Sequence, residues 1–148
     1  MSFDFELRLE LLRDLKTRAV FGGVLPVDQL PRHRLRRKPR LYIINSDDST
    51  GPGKHWLLVY FYTNSRGVYF DSYGLDVVDE RIHIFLTKNC FSYVYNSRPL
   101  QGGLSQTCGY FCLYVAKRLA RGYTLKRILS AFRTLTPYYN DMLVTREM

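Results

Sequence analysis

The chain has 148 residues, of which 46% are hydrophobic and 15% aromatic, and its 22 Lys and Arg against 13 Asp and Glu give a formal net charge of +9. This composition excludes an intrinsically disordered chain and predicts a single domain over residues 1–148. No apolar run is long enough to span a bilayer, which argues against an integral membrane protein and a membrane partner.

The amino-terminal segment predicts a helix that Asp4 caps and that runs to about Lys16. Its inner stripe would comprise Leu7, Leu11, Leu12 and Leu15. Acidic, basic and leucine residues alternate here and do not resemble a signal peptide, so we expect an intracellular protein that is not secreted. The next residues predict turns, at Gly22, Gly23, Pro26 and Pro31.

A basic block, RHRLRRKPR, occupies residues 32–40 and has six Lys or Arg among nine positions. Such a block can contact nucleic-acid phosphates without reading the sequence, and the binding would weaken with salt. A solvated basic loop is the alternative interpretation. The candidate DNA-binding residues are Arg32, Arg34, Arg36, Arg37, Lys38 and Arg40.

Three apolar segments predict strands, at residues 41–45 (LYIIN), 55–62 (HWLLVYFY) and 67–72 (GVYFDS). The last two flank a turn sequence and should form a hairpin. Residues 91–95 (FSYVY) are a further candidate for strand pairing.

Helices are predicted over residues 76–87, after Cys108 and after Thr124. Apolar residues recur with helical period beyond Cys108, and Gly122 should end that helix. Together these elements predict an α+β fold, with a small, mostly antiparallel mixed sheet flanked by helices.

Cys108 lies at the start of a predicted helix, after a loop rich in Gly and Ser. The positive end of the helix dipole favours the thiolate, which is the nucleophilic form of the side chain. Gln101, seven positions upstream, and the backbone N–H of Cys108 could stabilise an oxyanion. Gly109 leaves room for a substrate backbone. The alternative for Cys108 is a buried apolar cysteine, and Cys112 fits that role better.

His55 begins the strongest predicted strand, and Asp71 follows it by sixteen positions. An antiparallel hairpin would bring the two side chains together. The imidazole would then deprotonate Cys108, and the carboxylate would orient the imidazole. Taken singly, either residue could instead be an ordinary polar residue beside a turn. The scattered His and Cys residues predict no metal site.

The ordered set of His-Trp, Asp, Gln-Gly and Ser-x-x-Cys-Gly resembles the adenovirus-type cysteine endopeptidases (adenain), which are relatives of the ubiquitin-like-protein-specific proteases. The matching pieces are Gly53-Lys54-His55-Trp56, Phe70-Asp71-Ser72-Tyr73-Gly74, Gln101-Gly102 and Ser105-Gln106-Thr107-Cys108-Gly109-Tyr110-Phe111-Cys112. The spacing of seven from Gln101 to Cys108 is similar to the adenoviral branch. Asp71 is similar to the cellular branch, because adenoviral enzymes commonly use Glu there.

The resemblance implies an adenain-like cysteine protease fold with the nucleophile at the N-terminus of a central helix. It implies a viral maturation endopeptidase, a monomer of the virion and host nucleus, that cuts structural precursor polypeptides after (Leu/Ile/Met)-x-Gly-x or (Leu/Ile/Met)-x-Gly-Gly. The catalytic residues would be His55, Asp71, Gln101 and Cys108, with Trp56 and Gly109 beside the substrate cleft. No small-molecule cofactor is expected, and viral DNA would stimulate the enzyme.

Cys90 lies eighteen residues before Cys108. By resemblance, this is the position at which adenoviral enzymes form a disulfide with an activating peptide. A partly buried strand cysteine is the alternative.

Three rival functions remain open. A ubiquitin or ubiquitin-like isopeptidase would use the same triad, as would an acyltransferase of related fold that consumes acetyl-coenzyme A. A basic nucleic-acid-binding protein would contain Cys108 as a structural residue only.

Overall fold

Five short segments form one sheet in the computed structural model, which describes residues 3–47, 55–102, 107–133 and 135–147. The strands are β1 (Phe21–Pro26), β2 (Arg40–Asn45), β3 (Trp56–Phe61), β4 (Arg66–Phe70) and β5 (Ser92–Tyr95), paired in that spatial order. The β2–β3 and β3–β4 pairings are antiparallel, whereas β1–β2 and β4–β5 are parallel. The predicted α+β class with a mixed sheet is confirmed. Parallel pairings, one at each edge, make up a larger share of the sheet than the mostly antiparallel prediction implied.

Helices cover both faces of this sheet. They are α1 (Phe3–Arg13), α2 (Leu15–Val20), α3 (Glu80–Asn89), α4 (Cys108–Ala120), α5 (Leu125–Leu129) and α6 (Pro137–Thr145), with one 3-10 turn at Val27–Gln29. The central helix α4 packs against β3 and against α1, α2, α5 and α6. The helix α3 packs on the opposite face of the sheet.

Alternation along the strands divides the core into two parts, because successive strand side chains point to opposite faces. Ile43 and Leu58 face the α4 side, whereas Ile44 and Val59 face α3. All four are fully buried. Both faces of the central strands are covered by helices, which explains why these strands are continuously apolar in sequence. This agrees with the prediction of buried strands.

The first helix is shorter than the sequence predicted. It begins at Phe3, so Asp4 lies within its first turn, and it ends at Arg13. Asp14 then caps α2 by accepting a hydrogen bond from the Thr17 backbone N–H (3.2 Å). The break turns Leu12 and Leu15 outward, with 40% and 68% of their surface exposed, and only the first two leucines of the predicted stripe are buried.

Other element boundaries follow local capping. Asp79 caps α3, which therefore starts four residues later than the predicted residue 76. Thr124 accepts a hydrogen bond from the Arg127 backbone N–H and caps α5, as expected. Gly122 follows the end of α4 with a φ of +89°, the left-handed conformation that glycine adopts without strain.

The motif residues Gly53, Lys54, Ser105 and Gln106 lie outside the described residues.

The strand β1 was not predicted, because Gly22, Gly23 and Pro26 were interpreted as turns. A side chain at Gly22 would collide with the Tyr42 ring, since an added Cβ would lie 2.4 Å from its Cζ. Tyr42 is buried and packs edge-on against Phe85 at a centroid distance of 5.2 Å. The glycine therefore makes space for an aromatic side chain of the core on the neighbouring strand.

Gly22→Ala is accordingly expected to lower the free energy of unfolding by about 1–3 kcal/mol, because the buried Tyr42 ring must shift. Chemical denaturation would measure the change. Gly23→Ala is the matched control, since the atoms nearest to an added Cβ there belong to the flexible Leu25 side chain and lie no closer than 3.3 Å. Equal losses for both variants would contradict the steric explanation.

Candidate active site

The hairpin of β3 and β4 brings His55 and Asp71 into contact. His55 immediately precedes β3 and Asp71 immediately follows β4, in a register that pairs Leu58 with Phe70. Nε2 of His55 lies 2.7 Å from Oδ1 of Asp71. Both side chains are largely buried, with 18% and 8% of their surface exposed. The two residues thus form the close imidazole–carboxylate pair that the sequence predicted.

Cys108 is the first residue of α4, and its sulfur accepts a hydrogen bond from the Trp56 backbone N–H at 3.5 Å. The His55 imidazole and the Gly109 backbone N–H also lie close enough to stabilise the thiolate. Because Nε2 of His55 is held by Asp71, Nδ1 is the ring nitrogen that remains for the thiol. The three predicted residues Cys108, His55 and Asp71 are therefore connected in that order.

These contacts favour a thiolate–imidazolium pair. Burial alone would raise the pKa of the Cys108 thiol, but the hydrogen bonds from His55 and from the Trp56 backbone N–H outweigh it and lower that pKa below its ordinary value. Burial likewise disfavours the charged form of His55. The hydrogen bonds with Asp71 and Cys108 outweigh this effect and raise the pKa of His55 to about 9.

Asp71 is held from two further directions. Its Oδ1 accepts a hydrogen bond from the Tyr73 backbone N–H (2.9 Å). The buried Asn96 side chain bonds to both sides of the Asp71 backbone, accepting from its N–H (3.1 Å) and donating to its carbonyl oxygen (2.5 Å). Sequence reasoning missed Asn96, although its position directly after β5 places it beside the end of β4.

Gln101 is hydrogen-bonded to Ser72, the residue that directly follows Asp71. Backbone N–H groups of Leu100 and Gln101 donate to the Ser72 carbonyl oxygen, at 2.8 and 3.1 Å. The Ser72 hydroxyl donates to Oε1 of Gln101, and Gln101 is only 4% exposed. The structure thus anchors the predicted oxyanion donor to the same turn that carries the acid.

Aromatic residues border the site. The Tyr73 ring packs against the His55 imidazole at a centroid distance of 4.8 Å and an interplanar angle of 31°, a contact that the sequence did not predict. Trp56, predicted beside the cleft, is partly buried and packs against the core on the α4 side. Gly109 is buried in the first turn of α4.

The unpredicted helix α6 contacts the residues that directly precede Gln101 and Cys108. Nδ2 of the fully buried Asn140 donates to the Leu100 carbonyl oxygen at 3.1 Å. The neighbouring Asp141 accepts a hydrogen bond from the Thr107 hydroxyl at 2.8 Å. The sequence signal was Thr136-Pro137, since proline is common in the first turn of helices.

Cys90 and Cys112 lie away from this chemistry. Cys112 is fully buried in α4, and burial raises its pKa well above the ordinary value. Cys90 is 5% exposed, and its thiol donates to the Leu86 carbonyl oxygen at 3.3 Å. Burial raises the pKa of this thiol as well. A disulfide between Cys90 and an incoming peptide would therefore require the thiol to be uncovered first.

The basic block divides into two groups. Arg32, Arg34, Arg36 and Arg37 are exposed, and no carboxylate in the described ranges forms a salt bridge with them. Lys38 instead donates to the Asn89 carbonyl oxygen (2.7 Å), and Arg40 to that of Ala19 (3.3 Å). The last two residues therefore make structural contacts.

Within the described part of the chain, no three His, Cys, Asp or Glu side chains group as metal ligands would. In the same ranges, none of the helices has the length and apolar character needed to cross a bilayer.

Alkylation should distinguish the three thiols. Iodoacetamide reacts with thiolates, so we expect modification of Cys108 with a pH midpoint below the 9.0 of an ordinary thiol. Cys90 and Cys112 should remain unmodified in the folded protein, because burial raises both of their pKa values. Peptide mass spectrometry across a pH series would measure this. Equal labelling of Cys90 and Cys108 would contradict the expected order.

Similarity to known proteins is found in three dimensions only. Neither a protein-family model nor a curated protein sequence matches the chain. A crystal structure of the ASFV pS273R protease matches with a TM-score of 0.55 and 12% identity, over 89% of this chain and 63% of that one. A selenomethionine crystal structure of that protease matches with a TM-score of 0.46 and 17% identity, over 89% and 64%. The chain thus spans less than two thirds of their length, and the first match shows that it shares the fold of a viral protease.

Proposed function

We propose that this chain is a viral cysteine endopeptidase. The observation that carries the proposal is the linked set of Asp71, His55 and Cys108, with Nε2 of His55 2.7 Å from the Asp71 carboxylate and the sulfur at a helix N-terminus. The shared fold with a viral protease is consistent with this proposal. A structural cysteine in a nucleic-acid-binding protein would not need a lowered thiol pKa or an imidazole partner.

The mechanism follows from these positions. The Cys108 thiolate attacks the scissile carbonyl carbon, and the resulting oxyanion accepts hydrogen bonds from the Cys108 backbone N–H and the Gln101 amide. The His55 imidazolium gives its proton to the leaving amine as the acyl-enzyme forms. His55 then takes a proton from water, whose attack on the thioester releases the carboxylic acid and restores the thiolate–imidazolium pair. Asp71 orients the imidazole throughout and stabilises its charged form.

The proposed substrates are viral structural precursor polypeptides cut after (Leu/Ile/Met)-x-Gly-x or (Leu/Ile/Met)-x-Gly-Gly. This specificity is supported by the motif resemblance. As a maturation enzyme, the protein would act in the virion and the host nucleus, as a monomer.

A peptide vinyl probe with the sequence Leu-x-Gly-Gly tests the proposal, since such a probe reacts covalently with an activated thiol. We expect labelling at Cys108 alone, with its loss in His55→Ala. Cleavage of a fluorogenic Leu-x-Gly-Gly-x peptide would provide the turnover measurement. If neither labelling nor cleavage occurs, with or without DNA, the proposal is wrong.

A ubiquitin-like isopeptidase is the second candidate, and Asp71 favours it. The motif resemblance associates Asp at this position with the cellular branch, and here the short acid reaches His55 at 2.7 Å. Ubiquitin-like proteins also end in Gly-Gly. Comparison of kcat/KM for ubiquitin-like fusions with that for short peptides would separate the two functions. Strong preference for the folded fusion would indicate an isopeptidase.

DNA binding is proposed for the exposed arginines of the basic block, which are Arg32, Arg34, Arg36 and Arg37. The net charge of +9 and their lack of carboxylate partners in the described ranges support this. Replacing all four by Gln should weaken binding to duplex DNA and flatten its dependence on salt. The matched control is the double Gln variant of Lys126 and Arg127, which are exposed on α5. A larger loss of DNA binding in the control variant would indicate that the DNA-binding site lies on α5 instead.

An activating peptide is proposed as a further partner. The outer edge of β5 is unpaired in the described sheet, and Cys90 comes just before that strand. An extended peptide could add to such an edge through backbone hydrogen bonds. Turnover of wild type and Cys90→Ser with peptides derived from viral precursors would test whether a disulfide contributes. Equal stimulation and no covalent adduct would remove Cys90 from the proposal.

A further inference from the structure

The two residues that follow β4 serve different halves of the candidate site. Asp71 contacts His55, which is the base of the proposed mechanism. The next residue, Ser72, is 1% exposed, and its hydroxyl donates a hydrogen bond to Oε1 of Gln101. Ser72 therefore contacts the proposed oxyanion donor directly, although it has no place in the triad.

The backbone of Ser72 holds the same partner. Its carbonyl oxygen accepts hydrogen bonds from the backbone N–H groups of Leu100 (2.8 Å) and Gln101 (3.1 Å). One residue thus fixes both the main chain and the side chain of Gln101. A buried hydrogen bond of this kind is costly to remove, because the group left behind is not hydrated.

The contact determines which end of the Gln101 amide faces Ser72. A glutamine amide has an acceptor oxygen at one end and two N–H donors at the other. Only the donor end stabilises an oxyanion, whereas the oxygen would repel it. Because the Ser72 hydroxyl donates to Oε1, the amide oxygen is directed toward Ser72 and the NH₂ group away from it.

We propose that Ser72 is a positioning residue that sets the orientation of the Gln101 amide, so that its NH₂ group faces the developing oxyanion. This inference rests on the proposed protease function, because the oxyanion forms only during acyl transfer. Ser72 itself touches no reacting atom and acts through Gln101.

Turnover of a Leu-x-Gly-Gly-x peptide provides the first test. We expect Ser72→Ala to lower kcat about 10- to 100-fold with little change in KM, and Gln101→Ala to lower it about 10²- to 10³-fold. The double variant should lose no more than Gln101→Ala alone, since Ser72 acts only through Gln101. Ser72→Thr, which keeps the hydroxyl, should recover most of the activity. Ser65→Ala, in the exposed β3–β4 turn, is the matched control.

Alkylation of Cys108 by iodoacetamide separates this role from a structural one. The reaction displaces iodide from a carbon atom and forms no oxyanion, so its rate and pH midpoint should be unchanged in Ser72→Ala. A proportional loss of alkylation and turnover would show that Ser72 only maintains the fold, and would overturn the inference. Additive losses in the double variant, or wild-type kcat in Ser72→Ala, would also overturn it.

Side-chain amide NMR tests the hydrogen bond without turnover. We expect the Gln101 NH₂ protons to exchange with solvent about tenfold faster in Ser72→Ala than in wild type, because the amide loses its anchor. Unchanged exchange would overturn the inference whether or not the protein is a protease. A wild-type chain without turnover, combined with faster exchange in the variant, would instead reject the protease function while retaining the Ser72 contact.

Discussion

His55→Ala is expected to lower kcat for peptide cleavage by about 10⁴-fold or more, because the imidazole serves as base, as acid and as the partner of the thiolate, and all three roles are lost together. In the free protein, the His55 hydrogen bond to Cys108 opposes the effect of burial on the thiol pKa. Without it, the pH midpoint for alkylation of Cys108 should rise. The variant thus has two readouts, turnover and thiol reactivity, which should change together.

His83→Ala is the matched control, since His83 is exposed on α3. It should alter neither readout. If His55→Ala kept its turnover, or if its alkylation midpoint remained below that of an ordinary thiol, the imidazole would not be the partner of Cys108. The proposed mechanism would then be wrong, even though the two residues are in contact.

The sequence predicted the elements of the site better than it predicted their supports. His55, Asp71 and Cys108 could be connected because a hairpin brings together residues on either side of its turn, and because a helix start is marked by a change in hydrophobic period. These are local signals. The contact of Ser72 with Gln101 joins residues 29 positions apart, and no local pattern reports such a pairing.

The unpredicted elements share a physical cause. The strand β1 contains two glycines and a proline, which normally mark turns, but Gly22 is needed there to accommodate the Tyr42 ring. The helix α6 has little apolar periodicity, and its buried Asn140 bonds to the Arg133 backbone N–H (2.7 Å) and to the Leu100 carbonyl oxygen (3.1 Å). In both cases tertiary contacts, rather than local propensity, determine the structure. The roles of Cys90 and of the basic block stay predictions for a different reason, since they concern partners outside the chain.

Asp71→Asn is expected to lower kcat by about 10³- to 10⁴-fold while leaving the fold intact. Asn has nearly the same shape. In Asp71 one oxygen, Oδ1, both contacts Nε2 of His55 and accepts the hydrogen bond from the Tyr73 backbone N–H. An amide oxygen in that place keeps both contacts but lacks the charge that stabilises the imidazolium. An NH₂ group in that place would lose the Tyr73 hydrogen bond and donate to Nε2, so the imidazole would carry its proton on Nδ1, toward the thiol, and could not accept the thiol proton there.

The same substitution should also change the pH dependence. The Asp71 carboxylate helps to raise the pKa of His55 to about 9, so its neutralisation should let the imidazolium lose its proton at a lower pH. The falling limb of the kcat/KM profile should therefore move to lower pH in the residual activity. Asp76→Asn is the control, because Asp76 is exposed and accepts a hydrogen bond from the Tyr93 hydroxyl at 2.9 Å, away from His55. An unchanged profile and wild-type kcat in Asp71→Asn would show that Asp71 caps its turn and does not orient the base.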